Sequence, residues 1–280
     1  MTIKTIAVGL MTAQEVEWLV PAACALAERH GAHLIGVHPA EPIVTYMALE
    51  ASMGELAEPM FLDWQIEETA AIKARFQHFT GAGNFASEWR SQPVALPGAE
   101  EFLVDSCRSA DLVILGQIDP KLGRRNHFRM QEYAIRQSGR PVLVIPQNYE
   151  AGQLGEHLLV GWSNTREAIR AVHDARALAG ATAAVDILHV GPEPDEGDAH
   201  LAFRRDLAAA LNRHGFKTRL LQRAIGPNGV GETLLQVAFE QGADLIVTGA
   251  FGHSRVYDFV IGAVTRSLLD TARVPVLFSK

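Results

Sequence analysis

Short apolar runs alternate with amphipathic stretches along all 280 residues. In the second half, residues 157–162, 184–190, 217–223, 244–249 and 274–278 read as strands. The first, fourth and fifth runs are almost continuously apolar, as strands covered on both faces are. Between the first two strands, Ala168, Val172, Ala175 and Ala179 recur at helical spacing. Asn164 with Glu167 three residues later predicts a capping box, with Asn in the place of Ser or Thr. Further helices are expected over 199–213, ended by Gly215, and over 231–241, ended by Gly242. A last one is expected from near Gly262 to Ala272.

The pattern repeats. Ala110-Asp111-Leu112-Val113-Ile114-Leu115-Gly116 returns 133 positions later as Ala243-Asp244-Leu245-Ile246-Val247-Thr248-Gly249. Pro141-Val142-Leu143-Val144 returns 134 positions later as Pro275-Val276-Leu277-Phe278. Near the starts the shift is larger: Ile6-Ala7-Val8-Gly9 matches Leu158-Leu159-Val160-Gly161, and His38 matches His189 at a shift of 151. The first copy therefore holds about 18 extra residues between its second and fourth strands, most of them within 41–60. Each copy has βαβα order, which implies a doubly wound parallel sheet with right-handed crossovers. The expected domains are 1–149 and 150–280, with a boundary near 147–156, where Asn148, Gly152 and Gly155 interrupt two apolar runs. The last strands of the copies, 141–145 and 275–278, are short apolar edges that need covering, and they are expected to lie against each other or near the contact between the domains.

Hydrophobic residues make up 48% of the chain and charged residues 20%, enough for real cores. A net charge of −7 excludes generic binding to nucleic acid or to anionic membrane. It leaves a nucleotide open, because backbone N–H groups hold phosphate on an acidic protein. Cys24 and Cys107 read as small buried hydrophobes in a reducing compartment. The chain is expected to enter a strand at once, without a signal peptide, and no apolar run approaches the ~20 residues that span a bilayer. A cytoplasmic protein is expected.

In open parallel sheets, ligands sit beyond the carboxyl ends of the strands, where the strand order reverses. Three segments of the second copy should reach that edge: Gly161-Trp162-Ser163-Asn164, Val190-Gly191, and the chain from Gly249 onward. Gly249, Gly252 and Gly262 stand in a Gly-x2-Gly-x9-Gly arrangement followed by Ala263-Val264-Thr265. The first two glycines allow a tight turn and close approach of a ligand. Gly262 opens a helix whose first N–H groups and dipole favour an anion, and the Thr265 hydroxyl lies in the first turn. A phosphate cradle and a plain turn both fit this spacing. The first copy lacks the arrangement: Gln117-Ile118-Asp119-Pro120 follows Gly116, and Met130-Gln131-Glu132-Tyr133 stands where Gly262 would recur. Lys121, Arg124 and Arg125 there read as a solvated loop. His38 and His189 read as structural histidines, since neither has a second ligand at metal spacing. There is no catalytic Ser/His/Asp order and no Walker lysine.

The Gly-x2-Gly-x9-Gly spacing, with Val264-Thr265 and Pro275-Val276-Leu277 at the final strand, resembles the universal stress protein family. The two halves together resemble its tandem-domain branch. The resemblance implies two five-stranded, mostly parallel sheets of the adenine nucleotide alpha hydrolase-like kind, related as a pseudo-twofold repeat. It implies an intramolecular pseudo-dimer, with a further homodimer open. It also implies a stress-response protein that is a binding module rather than an enzyme, binding ATP or another adenine nucleotide, with or without magnesium. Carried onto matching positions, Gly161, Trp162, Ser163 and Val190 would surround adenosine. Gly249, Gly252, His253, Gly262, Ala263, Val264 and Thr265 would surround ribose and phosphates. Two positions depart from the family pattern. Ser163 replaces an Asp after the first strand, and Ala263 replaces a Ser or Thr after Gly262. A stress protein that binds no ATP and acts through protein contacts or another ligand, and a slow ATP hydrolase, are the alternatives.

Overall fold

A computed structural model describes residues 2–39, 57–92, 98–118, 125–152, 154–192, 199–251 and 262–280. In chain order the elements are β1 (Thr5–Gly9), α1 (Val16–His30), β2 (His33–His38), α2 (Ala57–Thr80), β3 (Ser87–Ser91), α3 (Ala99–Cys107), β4 (Leu112–Gly116), α4 (Arg125–Gln137) and β5 (Val142–Ile145). The second half follows with β6 (His157–Gly161), α5 (Arg166–Ala175), β7 (Ala184–Val190), α6 (Ala199–Arg213), β8 (Lys217–Arg223), α7 (Gly229–Gln241), β9 (Leu245–Gly249), α8 (Ala263–Thr271) and β10 (Val276–Ser279). They form two compact units. One holds Thr2–Arg140 with Gln147–Ala151; the other holds Pro141–Pro146 with Gly152–Lys280.

In the first unit the strands run parallel in the order β3-β2-β1-β4. In the second, β8-β7-β6-β9-β10 run parallel in the equivalent order. The central strands are buried along their length, including Ile6–Val8, Leu112–Leu115, Leu158–Val160 and Leu245–Val247. Burying each Leu, Ile or Val side chain is worth about 1.5–3 kcal/mol. The outer strands β3 and β8 carry Ser, Glu, Arg, Lys and Gln and stay largely half-buried or exposed.

The two final strands meet as expected. β5 pairs antiparallel with β10, with Val142 opposite Phe278, Leu143 opposite Leu277 and Val144 opposite Val276. β5 thus belongs to the second unit although its sequence closes the first repeat.

The repeated Ala-Asp pair has a repeated task. Asp111 accepts hydrogen bonds from the backbone N–H groups of Lys4 (2.8 Å) and Thr5 (3.0 Å), tying the start of β4 to the start of β1. Asp244 accepts from Gly155 (2.8 Å), Glu156 (2.8 Å) and His157 (3.1 Å) at the start of β6. Gly242 ends α7 in the left-handed conformation at φ 66°, its N–H bonding back into the last turn.

One helix start differs from the sequence expectation. Thr165, not Asn164, caps α5: its backbone is extended and its hydroxyl accepts from Ala168 N–H at 3.3 Å. Glu167 does not close a box. Its Oε1 accepts from Arg166 Nε at 2.6 Å, because the helix begins one residue later than the box requires.

Candidate functional site

The order β7-β6-β9-β10 reverses between β6 and β9, so a crevice is expected beyond the carboxyl ends of these two strands. Gly161 lies at the end of β6, opposite Thr248 of β9 and Leu188 of β7. Trp162 N–H donates to the Leu188 carbonyl at 2.8 Å, which fixes the chain as it leaves β6. Ser163 is half-buried and its hydroxyl lies 3.3 Å from Thr165 Oγ1. Val190 ends β7, also half-buried. Gly249 ends β9 opposite Ser279 of β10, and Ala250 N–H donates to the Ser279 carbonyl at 2.9 Å. The sheet thereby brings Gly161, Trp162, Ser163, Val190 and Gly249 to one edge. Gly252 and His253 lie outside the described residues.

Gly249 is required for a reason other than ligand approach. A Cβ there would come within 2.5 Å of Ala168 N and 2.6 Å of Glu167 C, so the first turn of α5 packs directly on this glycine. Burial pushes the Glu167 carboxyl up, but hydrogen bonds from Arg166, backbone and Thr165 outweigh it and hold it below the usual range. Glu167 is therefore charged at neutral pH, with Arg166 beside it.

Gly262 precedes α8 and is exposed, as is Ala263; Val264 is half-buried. No side chain caps this helix and no acidic residue stands in its first turn. Arg266 N–H donates to the Gly262 carbonyl at 3.1 Å, which leaves the N–H groups of Ala263, Val264 and Thr265 ahead of the first helical bond. The Thr265 hydroxyl is less available than the sequence suggested, because the residue is only 4% exposed.

Two buried polar atoms near this edge have no hydrogen-bond partner among the described residues: Trp162 Nε1 and Ser279 Oγ. Ser279 escaped the sequence reading. Its signal was a hydroxyl closing an otherwise apolar strand, where the first copy has Ile145. An unsatisfied buried donor costs about 1–3 kcal/mol, which a ligand can recover.

The matching edge of the first unit is differently furnished. Glu15 accepts from the N–H groups of Met11 and Thr12. A Cβ at Gly116 would meet Trp18 at 2.7 Å and Glu15 Oε2 at 3.0 Å. Gln131 lies inside α4 and donates to the Gly116 carbonyl at 3.0 Å. Glu132 pairs with Arg136 at 3.0 Å. Lys121 and Arg124 lie outside the described residues. His38 is a structural histidine: Nδ1 lies 2.7 Å from the Leu10 carbonyl and Nε2 lies 3.2 Å from Thr69 Oγ1. Among the described residues no helix is long and apolar enough to cross a membrane.

A model of the universal stress protein family matches residues 156–280. Among solved structures, the chain resembles a universal stress protein from Archaeoglobus fulgidus DSM 4304. That match covers 100% of this chain and 97% of the other, with a TM-score of 0.67 and 15% identity. A functionally unknown protein from Pseudomonas aeruginosa PAO1 is similar over 99% of this chain and 92% of its own, with a TM-score of 0.57 and 16% identity. The cytoplasmic domain of a prokaryotic cation chloride cotransporter is similar over 99% and 95%, with a TM-score of 0.51 and 14% identity. These likenesses establish a shared fold. No curated protein matches the chain. The likeness to the universal stress protein family is thus carried by residues 156–280, within the second unit.

Proposed function

We propose that the chain is a stress-response protein whose second unit binds one adenine nucleotide, ATP among them, as a regulatory ligand and not as a substrate. The observation that carries this reading is the convergence of Gly161, Ser163 and Gly249 where the strand order reverses between β6 and β9. Three supports stand beside it. The family match covers this unit. The first turn of α8 offers backbone N–H groups and contains no acidic residue. Trp162 Nε1 and Ser279 Oγ are buried hydrogen-bonding groups that a ligand can satisfy. Gly252 and His253 complete the phosphate side in this reading, and magnesium accompanies the nucleotide as a charge partner.

Affinity is expected to be modest. Ser163 brings no charge and Ala263 no hydroxyl, and a lost hydrogen bond to a charged group is worth about 1.5–3 kcal/mol. The first unit takes no nucleotide, since Glu15, Trp18 and Gln131 occupy the space around Gly116. The test is direct: release bound small molecules from the purified protein by denaturation, identify them by mass spectrometry, and titrate the emptied protein with ATP. One site per chain is expected. Absence of both a co-purified adenine nucleotide and an ATP titration contradicts the reading.

A further inference from the structure

The antiparallel pair of β5 and β10 uses up these two apolar edges within the chain, so a further contact must use another surface. One such surface runs along α7 in the second unit. Phe239 is the most exposed large apolar side chain among the described residues, at 86%. It lines a cavity of about 640 Å³. Glu232, Leu235, Gln236 and Phe239 stand at i, i+3, i+4 and i+7, a single stripe of this lining along the helix. Pro227 and Asn228 line it from the turn before α7, and Arg273 and Val274 from the link between α8 and β10. Ile225, at the start of the same turn, is 56% exposed.

The charge on this surface is balanced. Glu232 and Arg273 are the charged residues of the lining; both are exposed, and neither makes an ion pair among the described residues. Next to Phe239, Glu240 is already committed: it pairs with Arg223 at 3.5 Å and accepts from Gln236 Nε2 at 2.9 Å. One acid and one base are left. A chain of net charge −7 repels a copy of itself on average, so copies approach best where a face carries both signs equally.

We propose that a second copy of this chain docks on this face across a twofold axis, with Phe239 of each protomer seated in the cavity of the other and Glu232 of each set against the partner's Arg273. A twofold interface is self-complementary: where one residue meets another, the second also meets the first. A projecting ring with a cavity beside it, and one charge of each sign, meet that condition with no other molecule. Aromatic side chains anchor the cores of interfaces, and Leu235, Ala238 and Val274 give the ring an apolar lining to enter. A strongly charged partner is the poorer fit, because the lining has no excess of either sign. The contact does not depend on nucleotide binding.

The test is sedimentation equilibrium of the full-length protein across the micromolar range, with melting temperatures of the variants measured alongside. Wild type is expected to dimerise. Phe239→Ser should weaken the dimer about thirtyfold by removing its anchor. So exposed a ring supports nothing within one chain, so this variant should fold as wild type does. Glu232→Arg and Arg273→Glu should each weaken the dimer about fivefold by setting like charges together, and the two changes combined should restore it. Three results would overturn the proposal: a wild type that stays monomeric, a dimer that Phe239→Ser leaves intact, or a combined swap that associates no better than either single change.

Discussion

Leu143 stands directly across from Leu277 in the antiparallel pair of β5 and β10. The flanking pairs, Val142 with Phe278 and Val144 with Val276, exchange places under the repeat shift, so the strand pair is twofold-symmetric about these leucines. Each strand is the covering that the other's edge needs. Both leucines are fully buried. Leu143→Ala should destabilise the protein by about 2–5 kcal/mol in denaturant unfolding. Hydrogen exchange should show the amides of β5 opening together with those of β9 and β10. Exchange of β5 in step with β1 and β2 would contradict the assignment to the second unit.

Asp244 gathers three backbone N–H groups at the start of β6, one more than Asp111 gathers at the start of β1. Asp244→Ala should cost about 2–3 kcal/mol, since it leaves donors that only water can satisfy. Asp111→Ala should cost less. Thermal unfolding of the two variants compares them, and a larger loss at Asp111 would refute the count.

Asp186 is fully buried on β7, with Arg219 bonded to both its oxygens at 2.6 Å and His157 at 2.8 Å. Burial pushes its carboxyl up, but the bonds from Arg219 and His157 outweigh that and hold it below the usual carboxylate range. The folded protein therefore binds this proton less readily than the unfolded chain. The stabilisation is present above the ordinary Asp value near 4 and is lost as pH falls through the lower folded value. Asp186→Asn should be about 1.5–3 kcal/mol less stable than wild type at pH 7. The gap should narrow in acid. A gap that widens as the pH drops toward 3 would reverse the sign.

Burial pushes the Cys107 thiol up to about 12, and burial with Glu28 nearby pushes Cys24 up to about 11. Both should resist a thiol-reactive disulfide reagent at pH 8 in the native protein and react at once in denaturant. Fast native labelling of either would contradict their reading as inert packing residues.

Much of this was legible in the sequence. The continuous apolar runs announced β6, β9 and β10 because strands covered on both faces need no polar side. Gly242 marked the end of α7 through the left-handed conformation it adopts there. The repeated Ala-Asp pairs located β4 and β9, although their role as amide acceptors needed coordinates. The glycine spacing put Gly249 at the carboxyl end of β9, where it lies, yet Gly249 answers first to the close approach of Glu167 and Ala168, a tertiary contact that no local pattern encodes. The same holds for Thr165 over Asn164 as the cap of α5, where two adjacent polar residues compete and packing decides. The cavity at Phe239 was hidden because its stripe on α7 meets Arg273 and Val274, which lie beyond β9 and α8 in the sequence.

The central claim, a nucleotide on the second unit, is tested most directly at Ala263. This residue is exposed in the first turn of α8, and that turn contains no acidic residue. Ala263→Ser adds a hydroxyl and should tighten ATP binding. Ala263→Glu places a carboxylate at the helix start, where the dipole favours it by about 0.3–1 kcal/mol, so the fold should be as stable as before. The same charge repels phosphate and should abolish binding. Calorimetric titration of ATP into wild type, Ala263→Ser and Ala263→Glu, with melting temperatures measured alongside, reads all of this at once. The account predicts one site, tightened by Ser and lost with Glu at unchanged stability. Wild-type and Ala263→Glu proteins that bind ATP equally well, or a wild type that binds none, would contradict it.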